Sequence, residues 1–189
     1  MTPDSREIEE PEDPVLIRQA LVSDAPQLTR LHISAWKAAY RGLIPDAILD
    51  DLTEMKNPWN WGRRLVAPAP ESRYWVIELD GRVVGCAGTG VPREEDRGPD
   101  RTAELYGLYL APRVWSRGLG RALMDHVLAA LRARGYQSLV LWVLRDNARG
   151  RRFYEVAGAF FDGGERMSKR GESDVPDARY RLTLATDAT

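Results

Sequence analysis

Between residues 104 and 144 the chain writes an apolar strand-like stretch, a proline, a glycine-bearing turn, an amphipathic helix and a second, nearly all-apolar stretch. Few folds accept that order. Glu104-Leu105-Tyr106-Gly107-Leu108-Tyr109-Leu110 stops short of Pro112, whose missing N–H cannot continue a ladder. Trp115-Ser116-Arg117-Gly118-Leu119-Gly120-Arg121 then turns into a helix. Leu119, Ala122, Leu123, Val127, Ala130 and Leu131 trace one face of it, with His126 beside them, and Gly135 ends it. Residues 138–144 have the composition of a strand buried on both faces in a parallel pairing. Two such strands joined by a helix predict a right-handed βαβ unit. The first N–H groups of a helix lack partners and the dipole there favours negative charge, so the glycine turn is predicted to hold a pyrophosphate.

The remaining elements follow from punctuation and periodicity. Val15-Leu16-Ile17-Arg18 begins a first strand. Ser23-Asp24 before Ala25-Pro26 supplies a capping oxygen and an early proline, predicting a helix through Tyr40 with Leu28, Leu31, Ala35 and Ala38 on its apolar face. His32 lies beside that face and reads as a satisfied structural histidine rather than a base. A second short helix is expected over residues 46–55, and Trp59 and Trp61 read as core. Two strand-like runs around Asp80-Gly81 form the clearest hairpin in the chain. Asn147 opens a helix that Gly158 stops; Phe160-Phe161 starts a strand, and Tyr180-Arg181-Leu182-Thr183-Leu184 closes the sheet. Residues 163–178 read as a long polar connection. The expectation is a mixed α/β single domain over residues 15–185, after an acidic disordered tail (1–14) and before a flexible end (186–189).

Charge and cysteine content remove several functional classes. A net charge of -1 over 189 residues gives no global field for nucleic acid or membrane. One cysteine, Cys86, excludes an internal disulfide framework, and with only two histidines no metal cluster is legible. Cys86 lies in an apolar run and reads as a small buried hydrophobe. No apolar segment marks the first fourteen residues as a signal peptide or a span, so a cytoplasmic protein is expected.

Taken alone, Arg117-Gly118-Leu119-Gly120 is ambiguous among nucleotide-binding turns. The dinucleotide fingerprint requires a small residue where Leu123 stands, and a P-loop requires Gly-Lys followed by Ser or Thr. Neither fits. Residues 106–160 do resemble the core of the GCN5-related N-acetyltransferases, the GNAT family. Trp115-Ser116-Arg117-Gly118-Leu119-Gly120 matches the family's Gln/Arg-x-x-Gly-x-Gly/Ala loop except at Trp115. Downstream, Asn147, Phe153-Tyr154-Glu155 and Gly158-Ala159-Phe160 resemble its Asn…Tyr-Glu…Gly-Phe pattern, with Ala159 inserted.

The resemblance implies a GNAT-like acyl-CoA N-acyltransferase fold: a mixed, mostly antiparallel central sheet splayed at the βαβ unit. It implies acetyl-CoA as co-substrate and a primary amine, on a small molecule or peptide, as acceptor. Backbone groups of Leu108, Tyr109 and Leu110 would pair with the pantetheine amides. Those of Ser116, Arg117, Gly118, Leu119, Gly120 and Arg121 would hold the pyrophosphate. Asn147 would bind cofactor or cap its helix, and one of Arg113, Arg149 and Arg152 would meet the ribose phosphate. By family position Tyr154 donates a proton to the leaving sulfur, and Glu104 is the leading general base, directly or through water. The acceptor side falls to residues 36–52 and 163–178, where Asp46, Asp50, Asp51 and Glu54 read as solvated rather than amine-attracting. A non-catalytic acyl-CoA sensor is the alternative. Many family members are homodimers, and no interface is legible in this sequence.

Overall fold

The computed structural model describes residues 15–56, 59–93, 96–97 and 101–184. The tail expected over residues 1–14 and the end expected over 186–189 lie outside them. Strands β1 (Val15–Gln19), β2 (Arg73–Leu79), β3 (Arg82–Gly90), β4 (Thr102–Leu110), β5 (Ser138–Leu144), β6 (Phe160–Arg170) and β7 (Ser173–Thr183) form one sheet, ordered β1-β2-β3-β4-β5-β7-β6. Helices α1 (Ala25–Tyr40), α2 (Asp46–Asp50), α3 (Trp61–Val66), α4 (Leu119–Ala133) and α5 (Ala148–Val156) complete the fold. β4 and β5 pair in parallel and the other neighbours are antiparallel, so the mixed α/β, mostly antiparallel sheet expected from the sequence is the one observed.

Local chemistry explains the boundaries. Asp80 and Gly81 adopt φ values of 52 and 67, the left-handed pair that a two-residue hairpin turn requires. Asp24 stands at the start of α1 but does not cap it. Its carboxylate instead accepts from Arg18 Nη1 at 2.7 Å and from the Leu21 N–H at 2.7 Å, tying β1 to the helix start. α2 ends at Asp50, short of the expected residue 55. Sequence periodicity missed α3 altogether. Asn60, at φ 38, caps it by accepting from the Arg63 N–H, and Trp61 goes into the core.

The largest departure is at residues 163–178, which are not a loop. β6 and β7 run on as a long hairpin through Arg170 and Ser173, with exposed and half-buried positions alternating along β6. The period of two is present in burial but invisible in hydropathy, because the inner row is ionic: Arg166 lies 3.5 Å from Asp177, and Arg179 lies 2.9 Å from both Asp96 and Asp162.

The core fills both faces of the sheet. α4 seats Leu119, Leu123, Met124, Val127, Leu128 and Leu131 on one face, while Ala122 and His126 are exposed. α1 covers β3 and β4 on the other, carrying Leu28, Leu31, His32, Ala35 and Trp36 inward. His32 is 1% exposed within an aromatic cage of Trp36, Trp59, Trp61 and Tyr109, whose ring centroids lie 4.5 to 6.3 Å away. It is structural but not satisfied: neither ring nitrogen has a hydrogen-bond partner, and burial lowers its pKa to about 3. Trp59 stacks on Trp61 at 5.3 Å, as core aromatics. Cys86 is buried, and desolvation pushes its thiol up to about 12, which removes it as a nucleophile.

Candidate active site

Two features of β4 create the site. Thr89 pairs with Leu105 and Gly88 with Gly107, so Tyr106 is an extra residue in β4 that makes a bulge. On its other side β4 pairs with β5 only from Thr102 to Leu105. Beyond Leu105 the two strands part, and a cleft of about 390 Å³ opens there, lined among others by Tyr40, Tyr106 to Leu110, Trp142, Asn147, Arg149, Phe153 and Tyr154.

Backbone parity at this gap can be read from a single bond. The Ala111 N–H donates to Val84 O at 2.8 Å, so residues 111 and 109 face β3 while 108 and 110 face the gap. Of the three residues expected to offer backbone groups, Leu108 and Leu110 do so, and Tyr109 is turned to Cys86 of β3. The Leu110 carbonyl is already engaged, accepting from the Trp115 indole Nε1 at 2.9 Å. That bond, with the Arg149 guanidinium stacked 3.9 Å over the indole, gives Trp115 its role: it fastens the glycine turn to the end of β4.

The turn has the geometry of an anion cradle. Ser116 and Gly118 take φ of 62 and 78, and Gly118 stands at the start of α4 without any side-chain cap. The first intrahelical acceptor is Gly118 O, which the Ala122 N–H reaches at 3.0 Å, so the N–H groups of Leu119, Gly120 and Arg121 have no helical partner. Gly118 is needed for its left-handed backbone, since a Cβ there would meet nothing within 4 Å. Gly120 is needed for packing, since a Cβ would stand 3.1 Å from Leu110 Cδ1 and 3.2 Å from Phe153 Cε2. Ser116, Gly118, Gly120 and Arg121 line the cleft; Arg117 and Leu119 do not. Of the three candidate arginines, Arg149 lines it and Arg113 and Arg152 do not.

Asn147 lines the cleft and also caps α5, accepting from the Gly150 N–H at 2.9 Å. Tyr154, about two turns further along, is 9% exposed and faces the cleft. Burial first, then the neighbouring Tyr40, hold its phenol above the ordinary value, so it stays protonated at neutral pH. Tyr40 and Tyr109 bring two more phenols to this wall, each with its pKa raised chiefly by burial. Sequence reasoning passed over Tyr40 and Trp142: one looked like a helix end and the other like strand core.

Glu104 is not brought to the cleft. It is buried on β4 before the bulge, where Arg93, Asp96 and Arg166 are its charged neighbours, and desolvation raises its pKa. Asp96 is buried beside it, accepting from Trp142 Nε1 at 2.8 Å and from Arg179 Nη1 at 2.9 Å. Between α2 and the β6–β7 tip lies a second, open groove of about 650 Å³, lined by Trp36, Ile48, Asp51, Leu52, Lys56 and Arg170 among others. It falls between the two segments expected to build the acceptor side. Asp46 and Asp50 pair with Arg41 at 3.2 and 2.8 Å, Asp51 with Lys56 at 2.5 Å and Glu54 with Arg30 at 3.7 Å, all at exposed positions. Among the described residues no three His, Cys, Asp or Glu side chains are grouped to hold a metal, and no helix is long and apolar enough to cross a membrane.

A parallel strand pair that splays over a helix-start anion cradle, with a protonated tyrosine beside it, defines the class of acyl-CoA-dependent N-acyltransferases. The chain belongs to the acetyltransferase (GNAT) family, whose model matches residues 33–159. It is 29% identical to the uncharacterized N-acetyltransferase YuaI of Bacillus subtilis over 133 residues, 70% of this chain and 73% of that one. It is 49% identical to the mycothiol acetyltransferase of Beutenbergia cavernae over 88 residues, which are 46% of this chain but only 28% of that protein. Its fold is shared with the PaiA N-acetyltransferase of Thermoplasma acidophilum, solved in complex with coenzyme A, at a TM-score of 0.64 and 18% identity, covering 90% of this chain and 99% of that one.

Proposed function

We propose that residues 15–185 form one catalytic domain that transfers an acetyl group from acetyl-CoA to a primary amine, by direct attack of the amine within a ternary complex. The observation that carries this reading is the meeting, in one cleft, of the open backbone edge of β4, the cradle at the start of α4 and the Tyr154 phenol. The residues fit the co-substrate. Leu108 and the Leu110 N–H offer pantetheine-like amides an unpaired strand edge. The N–H groups of Gly120 and Arg121, at the cleft wall and without helical partners, suit a pyrophosphate, and Arg149 stands at the same wall for a ribose phosphate.

In this reading the thioester brings an activated acyl carbon, and the chain's own groups hold and move protons. Tyr154 donates its phenolic proton toward the departing sulfur, a role suited to a group kept neutral by burial. Glu104 stands off the cleft and takes the amine's proton through water; burial strengthens it as a base relative to an exposed carboxylate. The acceptor, a small molecule or a peptide amine, enters from the groove between α2 and the β6–β7 tip.

Release of free CoA from acetyl-CoA, followed across a panel of amines, tests the reading. Tyr154→Phe is expected to lower kcat by about 10²-fold or more while leaving acetyl-CoA binding in place. Equal turnover in the two proteins removes the acid role. No release with any amine removes the catalytic reading.

A further inference from the structure

Among the described residues β6 is the outer strand of the sheet and pairs only with β7. The hairpin determines which of its backbone groups face outward. Arg170 and Ser173 close the two-residue turn Gly171-Glu172, so that pair exchanges hydrogen bonds. Alternation along the ladder then makes Ser168 with Val175, and Arg166 with Asp177, bonded pairs as well. Pro176, which has no N–H, stands opposite Met167, as a non-bonded pair permits. The N–H and C=O groups of Glu165, Met167 and Lys169 therefore point to the open edge. Their side chains share one exposed face, where Met167 is 62% exposed, and Phe160 and Phe161 lie bare at the strand's start. From Glu165 onward the edge is regular, and its Lys169 carbonyl is held only by an exposed hydrogen bond from Arg170 Nη1 at 3.1 Å. An edge strand with such outward ladder groups and exposed apolar side chains is a template for another strand.

We propose that a second copy of this chain pairs with that edge. The two β6 strands run antiparallel about a two-fold axis at Met167, so that Met167 faces its own copy and Glu165 of each chain faces Lys169 of the other. The charges select this register. Outward groups must meet outward groups, which restricts the choice to whole steps of the axis along the strand. An axis at Glu165 or at Lys169 sets like charges directly opposite, which destabilises. An axis at Arg166 places Glu165 against Met167 and Lys169 against Gly163; one at Ser168 places Lys169 against Met167 and Glu165 against Gly171. Only the axis at Met167 gives two opposite-charge pairs around an apolar centre. Lys169 already meets Asp174 at 3.0 Å on the exposed face, so its ammonium would be shared between two carboxylates. The interface is isologous and closed, and it joins seven strands from each copy into one continuous sheet.

Sedimentation equilibrium of the full chain at low salt tests this. The wild type is expected at twice the chain mass. Glu165→Lys and Lys169→Glu, each placing like charges opposite, are expected to weaken the dimer by about tenfold or more, and the double variant carrying both changes to restore it. Met167→Pro removes an outward N–H that β7 does not use, so it is expected to give a monomer with unchanged circular dichroism. A monomeric wild type overturns the proposal. So does a dimer indifferent to both single charge reversals and to Met167→Pro.

Discussion

Glu104 titrates above the ordinary carboxyl value because burial disfavours its charged form, and Arg93 and Arg166 offset this only in part. A carboxyl raised in the fold favours folding at low pH and loses that contribution as the pH rises through the raised value. Glu104→Gln, neutral at every pH, is therefore expected to gain thermal stability relative to wild type between about pH 4 and pH 8. Paired melts at the two pH values check it, and a difference that does not change with pH contradicts it. At Gly118 the issue is the backbone. Alanine there must hold φ 78 at a cost of about 1–2 kcal/mol, while its Cβ meets nothing. Gly118→Ala is expected to weaken acetyl-CoA binding severalfold by reshaping the cradle, measured by titration calorimetry; unchanged affinity contradicts the cradle. Both glycines were legible as a motif in the sequence, but their separate duties were not. One serves a dihedral angle and the other a contact with Phe153, thirty-three positions further along. Trp115 likewise departs from the family pattern in sequence and becomes intelligible only through its bond to Leu110 O.

At the scale of elements, the junction of β1, α1 and β2 is held by one arginine. Arg18 donates to Asp24 and to Glu78, and Asp24 in turn receives the Leu21 N–H. The Arg18 hydrogen bonds lower the Asp24 pKa, so this stabilisation is present above the usual value of 3.8 and is lost as the pH falls through the lowered one. Asp24→Asn is expected to cost about 2 kcal/mol near neutrality, with the gap closing toward acid pH, as read by denaturant midpoints. A constant gap contradicts the ion pair. The sequence offered Asp24 as a cap because caps are local signals; its real partners are Arg18 on β1 and the Leu21 N–H, and Arg18 in turn reaches Glu78 sixty residues further on, a link that leaves no mark on spacing. The same limit hid β6 and β7. Alternation is visible in a sequence when one row is apolar, and here the inner row is Arg166, Asp177 and Arg179. The βαβ unit was legible because its strands and α4 spend their positions on ordinary hydrophobes.

Across the whole molecule, function depends on a sheet that fails to close. β4 and β5 pair for four residues and then part, and the elements at the gap come from widely separated parts of the chain: α1, the α4 turn, β5 and α5. A ligand that spans them stabilises the native state alone. At one hundred times its dissociation constant, acetyl-CoA is expected to add about 2.7 kcal/mol, a rise in Tm of about 5–10 °C, with no rise for NAD. A rise for NAD alone contradicts the fit of the cleft.

Trp36, Trp59 and Trp61 crowd His32 on the far side of Tyr109, whereas Trp115 sits at the cleft wall beneath Arg149. The two settings serve as separate reporters within the emission of six tryptophans, of which Trp75 lies in the core and Trp142 shares the cleft wall with Trp115. The caged indoles signal whether the chain is folded, and Trp115, isolated by comparison with a Trp115→Phe protein, signals occupancy of the cradle. Ligand association can thus be followed by light alone, without a label and without turnover.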